Sequence, residues 1–385
     1  MMNKKLLSLF IAPVVFFVFA PLAQAYIGLC CAHCGGNMPL NLLGAGIPEP
    51  HEYRFKVSQM FMNMGPLRDG TSEINNTDIL GAPNGTTFAV APERMRTYMT
   101  MGSAAYSFTD DFAAMMMVSY IRNEMDMEFN QPLQASTGTK GFTMFSDGIS
   151  DLVLLGKYRL YSDDHLAPTN QMSVLFGMSL PTGSTDKEFS RNPVPGQNGT
   201  ILPYRMQTGS GTVDPIIGLT YQGATDPWWY GANFKLEAHL YDNDEGYHRG
   251  QEFRYDLYLM RQVHPRAVLL TELNYWYEGK YSDEPFRQRV NGEGHANFNP
   301  NAGFLSPLFD PHNYGGHQLS VSFGFQYQPI PLHILELVAT LPIYQDLNGP
   351  QLQQDFMIQL TYYLEIPTKK SRRYVGFKPP KELGF

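Results

Sequence analysis

Between Trp228 and Leu240 the chain alternates with a period of two. Trp228, Tyr230, Ala232, Phe234, Leu236, Ala238 and Leu240 fall on one side; Asn233, Lys235, Glu237 and His239 fall on the other. A helix would spread these charges around its circumference, whereas a strand separates them completely. The pattern recurs where Phe253, Tyr255, Leu257 and Leu259 oppose Glu252, Arg254 and Asp256, and where Leu269, Leu273, Tyr275 and Tyr277 oppose Glu272 and Asn274. It returns with Leu319, Val321, Phe323, Phe325 and Tyr327 against Gln318, Ser320, Ser322 and Gln326, and with Phe356, Ile358, Leu360 and Tyr362 against Gln359 and Thr361. Such alternation suits the wall of a barrel, one face on hydrocarbon and the other on a polar lumen. Segments of this kind begin near residues 52, 94, 111, 150, 170, 212, 227, 251, 266, 316, 332 and 354. That is about twelve strands, each near the ~9–11 residues that a tilted spanning strand needs, and an even count is what a single-chain bacterial barrel requires.

The connections give an independent check. Residues 65–92 are long, Thr109-Asp110 short, 127–148 long, 163–168 short, 183–210 long, 223–226 short, 242–250 intermediate, 264–265 short, 280–315 long, 329–331 short and 346–353 intermediate. Outer-membrane barrels join strands by short periplasmic turns and long external loops in strict alternation. A soluble β-sandwich also alternates along its strands, but gives no reason for this order of loops. Both termini are then expected in the periplasm, with Tyr53, Phe55, Tyr106, Phe108, Phe112, Tyr158, Tyr221, Trp228, Tyr327 and Tyr362 forming an aromatic girdle near that interface.

Composition agrees: aromatic residues make up 13% and charged residues only 17% of the 385, against ~25% charged in soluble domains. Residues 1–25 have two lysines, an apolar core from Leu6 to Phe19 and the small-x-small end Ala23-Gln24-Ala25, the marks of a secretory signal peptide. Its removal takes Lys4 and Lys5, leaving 26 basic against 36 acidic residues and a net charge of −10, which gives no reason to expect nucleic acid as a partner. After Ala25 no uncharged apolar run reaches the ~18 residues of a membrane helix. Residues 26–50 then form a Cys-rich periplasmic or plug segment, 51–366 the barrel and 367–385 a basic periplasmic tail. The expected surroundings are outer-membrane lipid, a small-molecule solute and the barrel-assembly machinery.

Three segments, 147–160, 176–184 and 209–223, carry short motifs: Gly148 with Asp151-Leu152 where a strand starts, Leu180-Pro181-Thr182-Gly183 where one ends, and Gly209-Ser210-Gly211 with Asp214 where the next begins. Here the chain resembles the outer-membrane channel family named for the MetA pathway of phenol degradation, over residues 90 to 365. Proline donates no ladder hydrogen bond and glycine allows a sharp departure, so these motifs are architectural. The resemblance implies a β-barrel transporter with small hydrophobic or aromatic compounds as its cargo class. The cysteine-rich start and the tail after the last strand depart from the family pattern.

The alternation turns Lys235, Glu237, His239, Arg254, Asp256, Glu272 and Asn274 inward from three consecutive strands. Mixed charges there either set a field that selects a solute or pair with one another and brace the lumen. The chain has 20 methionines. The same phase argument turns Met60, Met62, Met64, Met95, Met99, Met101, Met115 and Met117 inward, as a greasy lining or as soft ligands for copper. A slip of one residue would turn them to the lipid. All three cysteines lie in Cys30-Cys31-Ala32-His33-Cys34. A c-type haem fails because Gly35, not histidine, follows Cys34, and Leu29 before Cys30 argues against a lipoprotein anchor. Four ligands within five residues hardly surround one tetrahedral ion, so a disulfide such as Cys31 to Cys34 stands beside soft-metal capture by Cys30, Cys31, His33 and Cys34. Redox catalysis is a further reading of the same stretch. No Ser-His pair is visible, since His333 is read on the lipid face and Ser320 and Ser322 in the lumen, so no enzyme is expected. The leading function is passive passage of a small, hydrophobic or aromatic solute. Copper transport, a partner-binding barrel and an outer-membrane lipid hydrolase are the alternatives.

Overall fold

The computed structural model describes residues 38–43, 50–84, 86–164, 168–282 and 303–371, and among these described residues thirteen strands follow one another. They are β1 (Glu52–Gly70), β2 (Ser72–Ile74), β3 (Val90–Ser107), β4 (Phe112–Phe129), β5 (Gly141–Ile149), β6 (Leu152–Ser162), β7 (Asn170–Leu180), β8 (Asp214–Thr225), β9 (Trp228–Glu237), β10 (Glu252–His264), β11 (Ala267–Glu278), β12 (Gly316–Tyr327) and β13 (His333–Pro367). Each of β1, β3, β4 and β6 to β13 pairs with the next in an antiparallel ladder, and β13 returns to β1, so the sheet closes on itself as a barrel. Closure removes the exposed edges that a sheet of this length would otherwise present.

β13 is 35 residues long and changes direction within itself. Its first part pairs with β12 from Leu335 opposite Tyr327 to Leu347 opposite Gly316, and its last part pairs with β1 from Leu347 opposite Gly70 to Pro367 opposite Glu52. Gly349 takes the left-handed φ of 71° at the reversal, which costs glycine little. The connection expected at 346–353 is thus carried by strand. Two more expected loops hold strand: β1 continues to Gly70 and folds back as β2, and 127–148 contains a short helix, Gln131–Thr137, and β5, which lies against β4. The reason is apolar inner positions that outrun the wall. Met125, Met127 and Phe129 stay buried well past the ~9–11 residues a spanning strand needs.

The outer face is apolar where the alternation put it. Tyr53, Phe55, Val57, Leu257, Leu259, Phe325, Leu337, Ile358 and Leu360 are exposed, while Ser58, Asp256, Ser322, Thr340 and Thr361 between them are buried. At the end with the short turns, rings touch in sequence around the barrel: Tyr53 to Tyr106 at 4.7 Å, Tyr106 to Phe108 at 4.9 Å and Phe108 to Phe112 at 5.7 Å.

Inside, two apolar clusters occupy the two ends. At the long-loop end Met64, Met95, Met125, Met127 and Met144 pack under the loop residues Phe189, Leu202, Met206, Phe304, Leu308 and Phe309. At the short-turn end Trp229, Tyr258, Met260, Val268, Leu270 and Val338 enclose Met38 and Leu42. Burying a side chain of this size removes roughly 1.5–3 kcal/mol of unfavourable hydration, which holds residues 38–43 inside the barrel.

Candidate functional site

The inner wall has two sides of different chemistry. On β8 to β13 the alternation stacks short polar side chains at one level, and they bond in sequence across six strands. Thr220 donates to Asn233 (2.9 Å), Asn233 and Asn274 donate to Asp256 (3.4 and 2.9 Å), Ser322 donates to Asn274 (2.6 Å), and Thr340 joins Ser322 at 2.8 Å. Nearer the long loops, Lys235 stands opposite Arg254 and Glu237 opposite Glu252. Lys235 Nζ binds Glu237 at 2.8 Å and Glu252 at 2.7 Å, and Arg254 binds Glu252 at 2.9 Å. Charges are thus interleaved rather than separated into opposite poles, which favours bracing over a strong field across the pore. His239 lies just beyond β9 beside Asp214, and Glu272 accepts from Asn274 at 2.9 Å.

The other side, β1 and β3 to β5, carries thioethers. Met60 stands opposite Met99, Met64 opposite Met95, Met95 opposite Met125 and Met125 opposite Met144, while Met62 meets Met357 on β13. Met101 faces Ser58 and Ser119, and Met115 and Met117 face Ala105 and Ser103. Met64 and Met95 are buried in the upper apolar cluster. Cys30, Cys31, His33 and Cys34 lie outside the described residues.

Residues 38–43 join the two sides at the short-turn end. Glu336 accepts the backbone N–H of Leu40 (2.8 Å) and Asn41 (3.0 Å), Asn41 donates to Glu272 (3.1 Å), Lys56 donates to the Leu40 carbonyl (2.8 Å) and Gln326 to that of Met38 (3.3 Å). Glu336, Lys56, Arg54 and Glu365 were missed as candidate residues, although each sits between outward apolar neighbours: Arg54 between Tyr53 and Phe55, Glu336 between Leu335 and Leu337. The same period-two count that found Lys235 finds them.

At the long-loop end the motif residues meet in one corner. Asp151 accepts from the N–H of Gly183 (2.9 Å) and of Ser210 (2.7 Å), and Thr182 accepts from the N–H of Leu152 (2.9 Å) while donating to the Ser150 carbonyl (3.1 Å). Gly183 and Gly209 lie back to back: a Cβ on Gly183 would come 2.6 Å from Gly209 Cα and 2.8 Å from the Thr208 carbonyl oxygen. Gly183→Ala should therefore cost about 1–3 kcal/mol, as overpacking of a close backbone contact does. A lowered temperature for the loss of compact migration on gels would show it; an unchanged one would mean the corner can open freely. Beside this corner four loop tyrosines, Tyr204, Tyr247, Tyr281 and Tyr314, pack ring to ring, with Arg205 bound to Glu278 at 3.2 Å. Burial pushes the Tyr281 and Tyr314 phenols up, so they remain neutral.

Among solved structures, an outer membrane channel from Pseudomonas putida F1 matches 83% of this chain and 97% of its own at 11% identity, with a TM-score of 0.51. The transport unit of the autotransporter AIDA-I from Escherichia coli matches 85% of this chain and 92% of its own (9% identity, TM-score 0.44), and a Pseudomonas aeruginosa FadL homologue 90% and 98% (10%, 0.39). No protein of the curated set matches the chain in sequence. At these identities the first likeness establishes the barrel fold. The sequence profile of one family matches residues 78–310, more than half of the chain and including every motif of the long-loop corner. The chain therefore belongs to the family described as the MetA-pathway of phenol degradation.

Proposed function

We propose that the chain is a bacterial outer-membrane channel for passive passage of a small hydrophobic or aromatic solute. One observation carries this reading: inside a barrel whose exterior is already apolar, a second apolar stripe of paired methionines runs along β1 and β3 to β5, beside a wall whose charges neutralise one another. Thioethers are flexible and polarizable and make favourable contacts with aromatic rings, so they suit a passage for such solutes. The Pseudomonas putida barrel that this fold resembles is an outer membrane channel, which supports the same reading. In this reading β13 contributes two passes, one against β12 and one against β1, which makes twelve. The short turns and both termini face the periplasm, and residues 38–43 are a plug that narrows the lumen at that end. Lipid surrounds the apolar belt, and the barrel-assembly machinery inserts it.

Copper passage is the second reading, favoured by the cross-strand methionine pairs together with Cys30, Cys31 and Cys34, because soft ligands select Cu(I). Planar-bilayer recording of the refolded chain separates the two. The expected result is a small conductance that an added monoaromatic hydrocarbon interrupts and Cu(I) leaves unchanged. Block by Cu(I) that disappears when the three cysteines become serine would favour copper. A wide, steady conductance indifferent to the aromatic compound would contradict the proposal and indicate a general pore.

A further inference from the structure

We infer that Asp214, Glu237 and His239 form a divalent-cation site at the long-loop end of the lumen, suited to zinc. Each offers one ligand atom, and the three atoms lie within 4.8 Å of one another. Zinc bound by imidazole and carboxylate sits ~2.0–2.2 Å from each donor, so a shift of about an ångström would seat it. Asp214 opens β8, Glu237 closes β9 and His239 follows two residues on, so two neighbouring strand ends supply the whole set.

The second observation concerns the imidazole. His239 has a side chain 7% exposed, and its Nδ1 is 3.0 Å from Asp214 Oδ1, yet the alignment leaves that nitrogen without a hydrogen bond. A buried ring nitrogen left so costs free energy that a metal would recover. The side chain of Gln251 clamps the His239 backbone, donating to its carbonyl at 2.6 Å and accepting from its N–H at 3.2 Å, which fixes the point from which the ring projects. The carboxylates are held as metal ligands commonly are, by outer partners. Ser210 and Thr212 donate to Asp214 at 2.6 and 2.5 Å, and Lys235 binds Glu237 at 2.8 Å.

One imidazole nitrogen with two carboxylates suits a borderline ion such as Zn²⁺, not Cu(I), which thioethers select. Three protein ligands leave one position for water or an exchanging ligand. The site is thus separate in place and in chemistry from the methionine stripe, and it differs in chemistry from the cysteines. It does not depend on the solute that the channel passes.

Calorimetric titration of zinc chloride into the refolded full chain, with Cys30, Cys31 and Cys34 changed to serine so that thiols do not compete, tests it. The expected result is one zinc per chain, with affinity reduced roughly tenfold or more by His239→Ala or Glu237→Gln and kept in His248→Ala, a loop histidine paired with Asp242. Asp214 is left unchanged because it also anchors the corner. X-ray absorption of the same cysteine-to-serine chain loaded with zinc gives a readout that needs no change at the site: an all nitrogen and oxygen shell with one imidazole is expected. Absence of saturable zinc uptake, unchanged affinity in both variants, or sulfur in the metal shell would each overturn the site.

Discussion

Changing Glu365 to alanine is expected to cost the folded barrel about 3–5 kcal/mol, the usual penalty for stranding one member of a buried ion pair. Arg54 and Glu365 face each other across the junction where β13 meets β1, at 3.2 Å and with side chains 5% and 1% exposed. Tyr363 donates to Glu365 at 2.9 Å, and the Arg54 guanidinium lies 5.7 Å from the Tyr363 ring. Alanine would remove this carboxylate from the buried Arg54 charge at the junction that closes the ring. The first and last strands are distant in sequence, so this junction has no hairpin turn to hold it. Guanidinium unfolding of the refolded barrel should show the midpoint fall, with a smaller fall for Glu365→Gln, which keeps an acceptor for Tyr363. Equal midpoints for Glu365→Ala and wild type would mean that the ladder alone secures closure.

Changing Glu336 to alanine should act on conduction instead. Glu336 receives two backbone N–H groups of the inserted segment and the amide of Gln326 at 2.7 Å. Losing an acceptor costs about 1–3 kcal/mol for each buried donor left unpaired. A total near 3 kcal/mol would raise the undocked population of residues 38–43 by roughly a hundredfold. Single-channel conductance should rise severalfold or begin to fluctuate, while the unfolding midpoint changes little. Met38 and Leu42 would still hold some chains closed through their contacts with Trp229 and Val268. Conductance identical to wild type would mean that the segment does not limit flow.

The wall was legible because it rests on a short-range rule. Every named strand of the ring begins within a few residues of an alternating segment, and Lys235, Asp256, Glu272 and Asn274 lie on the inner face that the period-two count assigns. β5 was not legible. Its inner residues, Met144 and Ser146, are buried only because β4 runs on far enough to meet them and the Phe189 loop covers them. The reversal within β13 was placed but read as a connection, since Asn348-Gly349-Pro350 looks like a turn and the pairing on either side of it comes from β1 and β12. Asp214 illustrates a different limit. It was recognised as part of a strand-start motif, but its meeting with His239 depends on how two strand ends and a loop corner are placed in space, which no local pattern encodes. The inserted segment raises the question of a plug only through its position before β1; the contact that docks it, with Glu336 nearly three hundred residues away, no local pattern encodes.

The most direct test of the channel reading is uptake of labelled toluene and of a polar solute of similar size, such as glycerol, by cells with a lipopolysaccharide outer leaflet and no hydrocarbon channel of their own. With this chain inserted, toluene entry should rise severalfold while glycerol entry stays at the level of the barrel-free control. Faster glycerol entry with toluene unchanged would contradict a hydrophobic passage and return the barrel to the class of water-filled pores.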